Sequence, residues 1–167
     1  MSRPLATSAS LLLALTFGGC AITAGELDSG GTDAATVSRV VDGDTIKVRV
    51  AGHSERVRYI GVDTPETVKP GSPVECYGHA ASDFNTELVA GEAVRLTYDA
   101  EQRDRYGRLL AYVRRSRDGL FVNEELVRRG YATTMTIPPN VRYAGRFRAL
   151  QRDARQAGRG LWGSCGR

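Results

Sequence analysis

Thr36-Val-Ser-Arg-Val-Val-Asp42-Gly-Asp44-Thr45-Ile-Lys-Val-Arg-Val50-Ala-Gly-His-Ser-Glu55-Arg56-Val-Arg58-Tyr-Ile-Gly-Val62-Asp63-Thr64-Pro65-Glu66 reads as three strands and two turns in succession. β-Branched residues run on either side of Asp-Gly-Asp and resume after Ala51-Gly-His-Ser-Glu55, and Pro65 stops the pattern. Apolar runs of this length bounded by turn residues predict strands over 36–42, 45–50 and 56–62, joined as a meander.

Downstream, Pro70, Gly71 and Pro73 extend a loop, after which Ala80, Ala81, Phe84 and Leu88 recur at helical spacing. A first helix is therefore predicted over 77–89, ended by Gly91. Ala93–Tyr98 and Leu109–Val113 predict a fourth and a fifth strand, linked by the charged segment 99–108. A second helix begins at Asn123, with Glu124 and Glu125 in its first turn, Arg128 and Arg129 in its last, and Gly130 beyond it. That charge order complements the helix dipole. A third helix over about 141–157 has the apolar line Tyr143, Phe147, Leu150 and Ala154, with arginines on its other faces. The expected fold class is α+β, mainly β: a five-stranded OB-fold barrel with three packed α-helices. Tyr59, Tyr98 and Tyr112 are expected to pack the barrel, and His53 and His79 to lie exposed.

The N-terminus reads differently. Residues 1–24 carry only Arg3 as a charge, and Leu11–Phe17 has the length of a signal-peptide apolar core, too short to span a bilayer. Phe17-Gly-Gly-Cys20 resembles a lipobox, so residues 1–20 are expected to be a leader whose Cys20 is lipidated and anchors the exported protein to the membrane. Cleavage after Ala24, with soluble secretion, is the alternative. Residues 21–36 are small and polar and predict a flexible tether. Residues 37–167 remain as a single domain, large enough to build its own core. The chain carries a net +4; without Arg3, Glu26, Asp28 and Asp33, the domain has 22 basic against 16 acidic residues, a net +6. A basic domain favours polyanionic partners. With Cys20 lipidated, Cys76 and Cys165 form an even pair in an oxidising compartment, and a disulfide between them is expected.

Three blocks concentrate the chemistry: Asp42-Gly-Asp44-Thr45, Arg58 through Glu66, and Asp104-Arg105-Tyr106-Gly107-Arg108. Clustered carboxylates suit an oxygen-coordinated cation such as calcium, and arginine forks suit a phosphoryl transition state. Each block has a plainer use: Asp-Gly as a turn, arginines as surface ion pairs, Glu66 as a solvated loop acid. Their combination points to phosphodiester hydrolysis. An EF-hand is excluded because no glycine and distal glutamate follow Asp44 at the required positions. Two histidines and a cysteine pair without ligand spacing argue against zinc.

Together with Glu75-Cys76-Tyr77-Gly78 and Val122-Asn123-Glu124, these blocks resemble the staphylococcal nuclease (thermonuclease) family from about Val37 to Trp162. The resemblance implies a Ca2+-dependent nuclease. Asp44 and Asp63 would be the calcium carboxylates, the Thr64 carbonyl a third protein ligand, and Asp42 an outer carboxylate beside them. Arg58 and Arg108 would grip the phosphate, Glu66 would act as general base, and Arg105 and Tyr106 would contact a terminal phosphate. The implied substrates are DNA and RNA, single-stranded or locally opened, cut with little sequence preference to leave 3′-phosphate ends by a monomeric enzyme. A noncatalytic nucleic-acid-binding module on the same fold is the alternative; retention of these acids and arginines argues against it. One departure stands out. Where the best-known member carries two base-stacking tyrosines, this chain reads Thr133-Thr-Met-Thr-Ile-Pro-Pro139, a loss of about 1–3 kcal/mol per stacked base.

Overall fold

The computed structural model describes residues 31–67, 71 and 73–165. The expected leader, Cys20 and residues 21–30 lie outside the described residues. In chain order the elements are β1 (Thr32–Val40), β2 (Thr45–Val50), β3 (His53–Tyr59), β4 (Val62–Asp63), α1 (Gly78–Val89), β5 (Ala93–Thr97), β6 (Leu109–Arg115), α2 (Val122–Arg129), β7 (Thr133–Thr134), α3 (Ala144–Gln156) and α4 (Leu161–Ser164).

Five strands close a barrel in the order β1-β2-β3-β6-β5 and back to β1. All neighbours are antiparallel except β3 and β6, which run parallel from Val57↔Leu109 to Tyr59↔Ala111. Alternation sets the interior: Val37, Ile46, Val48, Val57, Tyr59, Val94, Leu96, Ala111 and Val113 are buried. Closure leaves no free edge in the barrel and fixes the strand ends that carry the acidic turn and the arginines. This is the expected OB-fold with three helices of more than two turns. Among the described residues no helix is long and apolar enough to cross a membrane.

Four differences from the sequence reading bear on the site and its support. First, Thr32–Thr36, expected within the tether, belong to β1. Thr32–Thr36 pair with β5 from Thr97 to Ala93, and the Tyr98 hydroxyl donates to an Asp33 carboxylate oxygen at 2.7 Å. Small polar residues bury little, but here backbone pairing on closure orders them. Second, the predicted strand 56–62 is split. Gly61 sits at φ 81°, and a Cβ there would lie 2.8 Å from the Phe147 ring. The chain bends at Gly61, and Val62–Asp63 pair instead with β7. Third, Glu124 and Glu125 do more than complement a dipole. Both are buried; Glu125 pairs with Arg128 and Arg129 at 2.8 Å, and Glu124 pairs with Arg128 and, from α3, with Arg146 at 2.6 Å. Fourth, α3 starts at Ala144, since the chain before it is held in a turn in which Ala144 N–H donates to the Val141 carbonyl.

Asn123 joins the helical layer to the barrel. It is fully buried, donates to the Ile60 carbonyl at 2.9 Å and accepts the Val113 N–H at 2.9 Å. One amide side chain thus satisfies backbone groups beyond β3 and on β6 that no strand partner serves. His53 and His79 are exposed, and Tyr59, Tyr98 and Tyr112 are buried. Cys76 and Cys165 form a disulfide spanning 89 residues.

Candidate active site

The Asp42–Asp44 turn joins β1 to β2 and is supported from behind. Asp44 N–H donates to an Asp42 carboxylate oxygen at 3.1 Å. Asn85, buried on α1, donates to the Asp42 carbonyl at 2.9 Å and accepts the Tyr59 hydroxyl at 3.0 Å. Asp44 is buried, with Oδ1 accepting the Thr45 hydroxyl at 3.1 Å. Its Oδ2 accepts both the backbone N–H and the hydroxyl of Thr64, at 2.9 and 3.0 Å. Pairing of β4 with β7 brings Asp63 and Thr64 to this point, and the Thr133 hydroxyl donates to the Asp63 carbonyl at 3.2 Å.

Arg58, the last residue but one of β3, bridges the two acids. Its guanidinium lies 2.6 Å from Asp44 Oδ2 and 2.7 Å from Asp63 Oδ1, and it also donates to the Val62 carbonyl at 3.0 Å. Burial, reinforced by the charge of Asp44, pushes the Asp42 carboxyl up to about 6. Burial also raises Asp63, outweighing the opposing pull of Arg58.

Arg108 enters from the third block. Asp104 accepts the N–H groups of Tyr106 and Arg108 at 2.9 and 3.0 Å, which closes the turn. Its other oxygen accepts Arg108 Nε at 2.7 Å. That single bond orients the guanidinium. Arg105 and Arg108 lie 4.8 and 5.6 Å from the centre of the Tyr106 ring, and Tyr106 is 68% exposed.

These residues converge. A cleft of about 90 Å³ is lined by Asp42, Asp44, Arg58, Asp63, Glu66 and Arg108, with Thr64 on its wall. Four carboxylates against two guanidiniums leave an excess of negative charge in that small space. Among the described residues no three His, Cys, Asp or Glu side chains are arranged to hold an ion by themselves. Asp44 and Asp63 share the Arg58 guanidinium as their counter-ion, the position a hard cation would suit. A second groove of about 420 Å³ shares Arg58 and Arg108 and continues past Arg105 and Tyr106 to Met135 and Ile137. The segment without tyrosines therefore supplies an aliphatic wall, and Ile137 is 61% exposed.

Several residues of the site carry no role in the sequence reading. Asp104 has a local signal, since an acid followed by glycine three residues later suits a turn. Asn85 reaches the site through folding alone, and Glu75, Met135 and Ile137, though quoted above within longer stretches, were given no place there.

Residues 56–164 match the family model described as staphylococcal nuclease homologue. The chain is 47% identical over 126 residues to the thermonuclease of Staphylococcus intermedius, covering 75% of this chain and 74% of that protein. The chain belongs to the staphylococcal nuclease family. The thermonuclease of Staphylococcus hyicus is 44% identical over 126 residues, covering 75% of this chain and 73% of its own. Endonuclease YncB of Bacillus subtilis (strain 168) is 44% identical over 133 residues, 78% of this chain and 62% of that one. The staphylococcal nuclease match opens at Arg56, so the Asp42–Asp44 turn precedes it. Barrel closure brings that turn against the matched residues.

Proposed function

We propose that this protein is a calcium-dependent endonuclease that hydrolyses phosphodiester bonds of DNA and RNA with little sequence preference. Nuclease activity follows from family membership and the names of its relatives. The observation that carries the finer reading is the convergence of Asp44, Asp63, Arg58, Arg108 and Glu66 on one cleft. Its acid excess and oxygen donors fit a hard divalent cation, held by Asp44, Asp63 and the Thr64 carbonyl, with Asp42 beside them. Bound calcium would supply Lewis-acid polarisation of a phosphoryl oxygen.

The chain's own groups account for the rest. Arg58 and Arg108 present two forks to a phosphate and stabilise the charge that develops on it, each worth about 100 to 1,000 fold in rate. Glu66 accepts the proton of the attacking water, a contribution of about 100 to 10,000 fold. Arg105 and Tyr106 hold a neighbouring phosphate at the mouth of the groove. The attack severs the 5′ P–O bond and leaves a 3′-phosphate end. The test is hydrolysis of single-stranded DNA and RNA with calcium and then with excess chelator, followed by end-group analysis. Calcium-dependent cleavage supports the reading, and binding without cleavage replaces it with a noncatalytic binding module.

Export and lipid anchoring through Cys20 accompany this proposal. The disulfide between Cys76 and Cys165 suits an oxidising compartment. Mass spectrometry of the mature N-terminus checks the anchor: a diacylated Cys20 is expected, and a free residue 25 indicates soluble secretion.

A further inference from the structure

The loop after Glu66 returns to it. Glu75 N–H donates to the Glu66 carbonyl at 3.0 Å, and a Glu75 carboxylate oxygen accepts the Glu66 N–H at 3.0 Å. Gly78, which opens α1, presses on the same peptide. A Cβ there would lie 2.9 Å from the Glu66 carbonyl oxygen and from the Thr67 methyl, and 3.3 Å from the Pro65 carbonyl oxygen. Gly78 N–H in turn donates to the Glu75 carbonyl at 2.9 Å. The Glu66 carboxylate follows its backbone, because its Oε1 accepts the adjacent Thr67 N–H at 3.0 Å.

Two residues separate Glu75 from Gly78, and both are fastened. Cys76 is bridged to Cys165, just beyond α4. Tyr77 adopts a left-handed conformation at φ 72°, with its ring 5.3 Å from that of Tyr131. A non-glycine residue stays in that region only where its surroundings over-determine it. Here a covalent bridge and an aromatic contact supply the constraint.

We propose that Glu75 and the Cys76–Cys165 bridge form a positioning device for Glu66, so that turnover depends on the oxidation state of the bridge. The proposal rests on the reading of Glu66 as general base. Cys76 is exposed and open to a dithiol. Two electrons and two protons pass from the dithiol to the bridge; two cysteine thiols form, and the dithiol closes to a cyclic disulfide. Residues 75–78 then lose their covalent tie to the C-terminal end. The Glu66 peptide is held more loosely, and misplacement of a catalytic group by about 1 Å costs on the order of 100 fold.

The test measures kcat and KM on a single-stranded oligodeoxynucleotide with calcium, together with hydrogen exchange at the Glu66 amide. It compares the oxidised protein, the dithiothreitol-reduced protein, Cys76→Ser/Cys165→Ser, Glu75→Ala and Glu75→Gln, each at a temperature where circular dichroism shows it folded. Glu75→Ala and reduction should each lower kcat about tenfold or more, with KM within about twofold. They should also speed exchange at Glu66 and give no further loss when combined. Glu75→Gln keeps an acceptor oxygen and should stay near the oxidised wild type. Full kcat in both Glu75→Ala and the reduced protein, or losses that multiply, overturns the proposal. Glu66→Gln keeps the two readings apart. Retained turnover in that variant overturns the base assignment and the proposal with it. Loss of turnover there, beside full activity in Glu75→Ala and the reduced protein, overturns the proposal alone.

Discussion

At Arg108, the way the guanidinium is held matters as much as its charge. Asp104 binds Nε and both turn amides, which aims the remaining nitrogens at the cleft. Arg108→Lys keeps the charge but loses the fork, and kcat should fall about 100 fold. Asp104→Ala leaves the fork unaimed and should lower kcat with less effect on KM; steady-state kinetics check both. Asp42 gives a second prediction. Burial and the Asp44 charge raise it from 3.8 to about 6, so the folded protein holds this proton more tightly than the unfolded chain. Its contribution to stability is fully present below about pH 4 and is lost as pH rises through about 6. Asp42→Asn cannot titrate and should flatten that dependence, as read by urea denaturation in chelator at pH 5 and pH 7.5. That Asp44, Arg58 and Arg108 would meet at one cleft was legible from the three blocks taken together, since each block alone has a plainer use. Asn85 was not. It supports Asp42 from 43 residues away and Tyr59 from 26, and no local pattern encodes either contact.

Among the elements, α2 is tied to the barrel backbone by a buried amide side chain. Asn123→Ala would leave the Val113 N–H and the Ile60 carbonyl buried without this partner, at about 1–3 kcal/mol each. Thermal unfolding should show a large drop in Tm, while Asn123→Asp keeps the acceptor and loses the donor. The helices were legible because their period and end signals are local. Strand boundaries were less so. β1 begins early because closure pairs Thr32–Thr36 with β5, a contact made across 60 or so residues that composition argues against. β3 ends early because Phe147, from a helix near the C-terminus, packs against the only face of Gly61 where a side chain could go. Both misreadings arise where tertiary packing overrides local preference.

Over the whole molecule, the net charge of +4 and the shared wall of Arg58, Arg105 and Arg108 predict salt-sensitive capture of substrate. Three phosphate contacts at about −0.7 each give a log–log slope near −2 for single strands, about tenfold or more in kcat/KM between 50 and 200 mM salt. A short chromogenic phosphodiester should respond far less, and equal responses would count against the groove as a strand-binding surface. The barrel as a whole was legible from five apolar runs bounded by turn residues, whereas the shape of its groove depends on Met135 and Ile137, whose place no periodicity reveals. The disulfide has one more effect. It makes residues 76–165 a covalent ring, so a single cut by a protease anywhere inside it opens the ring without releasing a fragment. Among foreign proteases, a nicked molecule would migrate as full length until reduced and could outlast its first cleavage as a working enzyme.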